Sequence, residues 1–185
     1  DAYSLGAHWV YDEKQLKENN LNWNELNSPL SVWHKDKSAG EFTHYGDQTY
    51  WLYEFLENKN TFDEKEYLKF WEDKIESYDG YIDGATRGTL GNIKNDVTPT
   101  GSSSSDLSIV GRITPLLLVS KSKKDFLENV EKFIKLTHNS EKSVSAGMFF
   151  AKVLLECLNG KDVISVLEIV KEESNTAIQA LVQKG

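Results

Sequence analysis

The sequence predicts an all-α domain, and three observations carry that prediction. From Gln48 onward apolar residues recur at helical spacing, with Tyr67, Phe70, Trp71, Ile75 and Tyr78 in one stripe and Phe126, Val130, Phe133 and Ile134 in another. Helix punctuation stands at the ends of such stripes: Asp63 ahead of one, Gly160 after the longest. The strongest strand candidate, Val163 to Val170, has flanking acids and a pattern length that favour helix, so strands contribute little.

Taken in order, residues 12–47 read as a long irregular segment and 48–58 as the first helix. The next has the clearest start: Asp63 caps, Glu66 reaches back three residues later, and Phe62 staples onto Tyr67. Further helices are predicted over 84–93, 106–121 with a kink near Pro115, 123–137, 141–159, 162–172 and 174–183. A left-handed turn at Gly160 ends the 141–159 helix. Between the first and second of these six lies Asp96 to Ser105 with its run of serines, which reads either as a flexible linker or as a loop delivering backbone N–H groups to an anion at Asp106. Loops this long in compact helical domains are functional or disordered.

Bulk composition narrows the function classes. A chain of 185 residues suits one domain spanning 1–185. The net charge of −8, with lysines interspersed among acids, argues against a broad nucleic-acid surface, so an anionic ligand must be held locally. The apolar run Ile113 to Val119 is far too short to span a bilayer, so no membrane role is expected. The lone Cys157, inside an apolar run, reads as a small core residue and fits a reducing, cytoplasmic setting. The chain starts at Asp1 without methionine and stops after a helical pattern, which leaves room for an excised or incomplete chain.

Four polar islands interrupt the helical pattern. Only two arginines stand among 19 lysines, Arg87 and Arg112, and a planar guanidinium suits carboxylate or phosphate; capping of helix carbonyls is the competing explanation for each. Asp47, Gln48 and Thr49 supply a carboxylate, an amide oxygen and a hydroxyl, the hard oxygen donors that magnesium or calcium takes, while Asp47 as a helix cap and Gly46 in a tight turn explain the same residues structurally. Ser105 and Asp106 open the 106–121 helix. His138 closes one helix before another begins, which favours a capping role. None of the four histidines pairs convincingly, so a zinc site is not expected, and no nucleophile elbow or phosphate loop is present.

In order and spacing, Asp1 to Trp9, Gly46-Asp47-Gln48-Thr49, Gly84-Ala85-Thr86-Arg87, Ser105 to Pro115 and Leu136-Thr137-His138 resemble the ADP-ribosylglycohydrolase family, and within it the J1-crystallin-type branch. The resemblance implies a multi-helix orthogonal bundle, here incomplete at both ends, and two magnesium ions beside the ribose of ADP-ribose. Enzymes of the family read Thr-Asp-Asp-Thr where Gly46-Asp47-Gln48-Thr49 stands, so Asp47 and Thr49 match and two positions differ. By resemblance, Asp47, Gln48 and Thr49 would hold metal and Asp12 would position water. Arg87, Ser105, Asp106, Arg112 and His138 would line an ADP-ribose-like ligand.

No aspartate follows Asp162, so the family's carboxy-terminal acidic pair is not in this sequence. The implied reaction is metal-dependent hydrolysis of a glycosidic bond to ADP-ribose or a related nucleotide sugar. The alternative is a catalytically impaired J1-crystallin-like structural or nucleotide-binding protein, and a bland helical scaffold is the third reading. Oligomeric state is open.

Overall fold

The computed structural model describes residues 1–183, and no β-strand occurs among them; an isolated bridge joins Ser102 to His138. Eight α-helices follow in order: α1 (Glu13–Glu18), α2 (His44–Leu56), α3 (Glu64–Glu76), α4 (Gly84–Lys94), α5 (Lys123–Thr137), α6 (Glu141–Leu158), α7 (Val163–Glu172) and α8 (Thr176–Val182). Short 3-10 segments occupy Ala2–Ala7, Val32–His34, Leu107–Arg112 and Thr114–Leu118. The all-α expectation holds, and the α5 bounds coincide with the predicted 123–137.

Local chemistry accounts for the boundaries. Asp63 caps α3 by accepting from the Lys65 and Glu66 amides, both at 2.9 Å, and Phe62 packs on Tyr67 with ring centroids 5.8 Å apart. Glu66 does not complete the reciprocal box; its carboxylate pairs with Lys59 Nζ at 2.7 Å. Gly160, at φ +82°, supplies the left-handed residue that ends α6.

Three local expectations are corrected. The stretch 106–121 is two 3-10 segments rather than one α-helix: Pro115 has no N–H to give, and Ile109, Val110, Ile113 and Thr114 crowd the turn with β-branched side chains. The serine run is no linker, because Ser102 N and Oγ both donate to Thr137 O and Ser143 Oγ donates to Ser104 O. Gly101 lets that strand of chain approach α5, since a Cβ there would lie 2.3 Å from Lys135 O. Finally, α2 begins at His44, capped by Thr43, whose Oγ1 accepts from Tyr45 N at 3.2 Å; Asp47 sits one turn inside.

The main core joins α2, α3, α5, α6 and both later 3-10 segments through Leu52, Leu56, Tyr67, Trp71, Ile109, Ile113, Leu116, Phe126, Val130 and Ile134. Burial of these stripes is the principal force closing the bundle. A second cluster of Phe149, Val153, Val166, Val170 and Ile178 packs α7 and α8 onto α6, with the half-buried Cys157 at its edge.

Candidate functional site

Helix α2 presents three consecutive oxygen-bearing side chains in three directions, as 3.6 residues per turn requires. Asp47 Oδ2 accepts from Lys37 Nζ at 2.8 Å and from the Tyr78 hydroxyl. Gln48 Oε1, buried, accepts from Arg112 Nη1 at 2.7 Å and from Trp71 Nε1 at 3.1 Å. Thr49 Oγ1 donates back to Tyr45 O at 2.8 Å within the helix. Burial pushes the Tyr78 phenol above its ordinary range, and its contact with the Asp47 carboxylate adds to the effect.

This donor set does not fit a magnesium ion. A hard divalent cation takes about six converging oxygens; here the carboxylate carries an ammonium, the amide oxygen is saturated by two N–H groups, and the hydroxyl is turned into the helix. Among the described residues, no group of three or more His, Cys, Asp or Glu side chains is arranged to hold an ion.

Gly46, inside α2 rather than in a turn, makes room for Asp1. The Asp1 carboxylate accepts from Thr43 N at 2.7 Å and from Thr43 Oγ1 at 3.0 Å, and a Cβ on Gly46 would lie 2.2 Å from Asp1 Oδ2. A carboxylate at a helix start is electrostatically favourable, so this contact pins the amino-terminal segment to the body.

Beneath α2 lies a knot of buried polar groups. Arg112, 2% exposed, holds Gln48 with one arm, approaches Asp83 Oδ2 at 3.7 Å and Ser108 Oγ at 3.4 Å with the other, and lies 5.4 Å from the Tyr45 ring centroid. Asp83 caps α4 through the Thr86 amide at 2.6 Å and meets His44 Nε2 at 3.6 Å, a long electrostatic contact beyond hydrogen-bond range. Burial works against the Asp83 charge, but the His44 imidazole and the Thr86 groups outweigh it and hold the carboxyl well below its usual range. Asp83 is thus a firm counter-ion and a poor proton acceptor.

His138 caps α5 as expected, with Nδ1 at 2.9 Å from Thr137 Oγ1; burial, helped by nearby Arg112, lowers its pKa to about 4. The five buried polar atoms without a hydrogen-bond partner among the described residues are all in this knot: both His44 ring nitrogens, Asp83 Oδ2, Arg112 Nε and His138 Nε2.

The remaining sequence-predicted residues are dispersed. Arg112 faces the interior, so its guanidinium positions α2 rather than meeting solvent, because Gln48 and Asp83 satisfy it there. Arg87 is exposed and donates to Ile82 O, a loop carbonyl just before α4, so neither the ligand role nor the capping of a helix C-terminus describes that bond. Asp12 is exposed and caps α1 at Lys14 N, 2.8 Å. Ser105 and Asp106 are exposed; Asp106 caps the 107–112 segment at Ser108 N, 2.8 Å, and lies 3.4 Å from the Tyr45 hydroxyl.

Sequence reasoning missed Asp83, His44, Tyr45 and a ring cluster in the amino-terminal segment. Contrary to the expectation that no histidines pair, His8 Nδ1 and His34 Nε2 are 2.8 Å apart with their rings stacked at 4.9 Å. Trp9 stacks on both rings and meets Tyr81 edge-on at 5.0 Å. The mirrored pairs His8-Trp9 and Trp33-His34 were the available signal.

Comparison with known proteins gives matches of two kinds. A family model described as ADP-ribosylglycohydrolase matches residues 1–184. Crystallin J1A of Tripedalia cystophora is 26% identical over 180 residues, and Crystallin J1B of the same animal 24% over 181. Each alignment covers 88% of this chain but 56% of the relative, so the chain spans about half the length of the curated relatives it matches. No solved structure matches it.

Proposed function

This chain belongs to the ADP-ribosylglycohydrolase family, and on that premise we propose that it recognises an ADP-ribose-type nucleotide sugar, with the Lys37 ammonium supplying the positive charge that a divalent ion would otherwise supply beside Asp47. One observation carries the reading: Lys37 Nζ rests 2.8 Å from Asp47 Oδ2, with both side chains largely shielded from solvent. A shielded ammonium offers a fixed charge to an anionic ligand, and Asp47 orients it. Around it, Arg112 sets the pitch of α2 by gripping Gln48, His138 braces the end of α5, and half-buried Tyr45 with exposed Ser105 and Asp106 forms the polar rim nearest the solvent. In this reading turnover is impaired, as in the J1-crystallin-like alternative.

A second reading is favoured by family membership and by the retained Asp47 and Thr49: metal-dependent hydrolysis of the glycosidic bond at the anomeric carbon. That reading requires Lys37 to release Asp47, because the donor set as it stands does not fit magnesium. The chain's own part would be a carboxylate, with exposed Asp12 the candidate, taking a proton from the attacking water as an oxocarbenium-like transition state forms.

Calorimetric titration of the full-length protein with ADP-ribose, with magnesium and again with chelator, tests both. The lysine reading expects equal affinity in the two conditions and lost binding in Lys37→Gln. Heat that appears only with magnesium, accompanied by release of free ADP-ribose from an ADP-ribosylated peptide, would establish the second reading instead. No heat in either condition removes the ligand.

A further inference from the structure

A cavity of about 260 Å³ opens between the segment around Val32–His34 and the turn at Asp79, Gly80 and Tyr81. Two aromatic walls meet there at a steep angle: Trp33 and Tyr81 have ring centroids 5.3 Å apart and an interplanar angle of 68°. Trp33 is 54% exposed, so an indole face stands open. Tyr81 is backed by Trp9, which adopts φ +60° to reach that position. A bulky residue in the left-handed region is strained, so the surrounding contacts hold this wall in place.

The charge around the cavity is acidic. Asp36, Glu41 and Asp79 line it with Lys35 and Lys37, and Lys37 is already engaged by Asp47 at 2.8 Å. Three carboxylates therefore stand against two ammoniums in the lining, with Glu41 Oε2 accepting from Ser38 N and Lys37 held by Asp47. His34 forms part of the same lining while only 3% exposed. Its Nε2 is taken by His8 Nδ1 at 2.8 Å, and its Nδ1 has no hydrogen-bond partner among the described residues. Burial and the neighbouring His8 lower the His34 pKa to about 4, so the ring is neutral at pH 7 and does not repel a cation.

We propose that this cavity binds a protonated alkylamine, with the methylene or methyl groups of the ammonium against the Trp33 and Tyr81 faces and its N–H donated to His34 Nδ1. Aromatic faces attract cations through their quadrupole, and walls set at a steep angle enclose a tetrahedral ammonium better than a flat ring or guanidinium. Accepting that proton selects the tautomer in which His34 Nε2 donates to His8. The ammonium belongs to a free amine or to a dimethylated lysine side chain; both present the same chemistry. Lys37 lines this cavity and also carries the nucleotide reading, so the two sites adjoin but take ligands of opposite charge; the amine probes below carry no phosphate, and failure of either reading leaves the other standing.

The test is a titration of the whole chain, followed by the ¹H–¹⁵N signal of the Trp33 indole, assigned with Trp33→Phe. The probes are N,N-dimethylethanolamine, choline, which lacks the N–H, and 3,3-dimethylbutan-1-ol, which lacks the charge. The expected order is dimethylethanolammonium tightest, choline weaker, and the neutral alcohol without a saturable shift. Trp33→Leu, at an exposed position and read by calorimetry because it removes the reporter indole, should weaken the amine by about tenfold, within the range of a cation–π contact, and Asp79→Asn should weaken it while the melting temperature is unchanged. A dimethyllysine peptide binding at least tenfold tighter than the free amine assigns the ammonium to a side chain; equal affinity assigns it to a small molecule. Equal shifts from the alcohol and the amine, no shift from any probe, or undiminished affinity in Trp33→Leu each overturn the proposal.

Discussion

Residues 1–43 and the helical body after them are held by different forces. In the body, Leu52, Trp71, Ile109, Leu116, Phe126, Val130 and Ile134 form one continuous apolar core. In the first 43 residues Leu5 is the buried hydrophobic side chain, while Tyr3, Tyr11, Trp23, Leu26, Val32, Trp33 and Phe42 lie exposed. That segment attaches through ring stacking of His8, Trp9 and His34, through Asp1 on Thr43, and through Lys37 on Asp47. Apolar burial spreads the body's stability over many contacts, with the polar knot around Arg112 the exception. The amino-terminal segment depends on a few polar contacts whose loss is felt locally, and it carries the open cavity.

The largest effect expected is in the body. Arg112→Leu removes the cation that satisfies Gln48 and Asp83 and leaves a buried carboxylate uncompensated, lowering unfolding free energy by about 3–5 kcal/mol in urea titration. A loss below about 1 kcal/mol would show that the polar knot contributes little beside the core.

Acid acts on both regions. His34 and His138 titrate near 4 when folded, against 6.5 for an ordinary histidine, so the unfolded chain binds more protons between those limits. Stability is therefore fully present above pH 6.5 and declines as pH falls toward 4, on the order of 3 kcal/mol for each fully buried imidazole as an upper bound. Chemical denaturation at pH 7, 5.5 and 4.5 measures it. Amide exchange separates the regions: residues 1–43 should lose protection first.

Gly46→Ala acts on the junction. Its Cβ would collide with Asp1 Oδ2 and Phe42 Cβ, so about 1–3 kcal/mol is expected, read as faster amide exchange before α2 with the α5 and α6 core unchanged. Asp47→Asn should cost about 1 kcal/mol through the half-shielded Lys37 pair and leave the helix start intact, because Thr43 is the cap. Equal helical content by circular dichroism checks that division. Ser105→Ala, exposed and without a hydrogen-bond partner among the described residues, should change stability by less than about 0.5 kcal/mol, and a larger effect would point to a loop role that the contacts do not show.

How far the sequence could be read differs along the same line. Asp63, Ser122 and Gly160 announce helix ends because capping is decided within a few residues of chain, and α5 falls where its stripe predicts. The stretch 106–121 misleads because apolar spacing there is nearly helical, while Pro115 and the β-branched residues withhold the i to i−4 bonds. Of the candidate site, the segments were legible as polar interruptions, yet the partners were not. Asp83 carries no local mark of its meeting with Arg112, and His8 and His34, 26 residues apart, give no spacing signal.

From its residues alone, this chain's all-α class, most helices from α2 onward with most of their ends, and its family resemblance could be stated, because periodicity and capping are local properties; α1 lay within the stretch 12–47 read as irregular. The tertiary structure decided that Asp47 meets Lys37, that Gln48 is locked by Arg112 and Trp71, and that Trp33 and Tyr81 wall a cavity over His34. Those outcomes depend on which faces of distant segments pack together. The charge or hydrogen bond that an oxygen receives is set by that packing and has no counterpart in the spacing of neighbours along the chain.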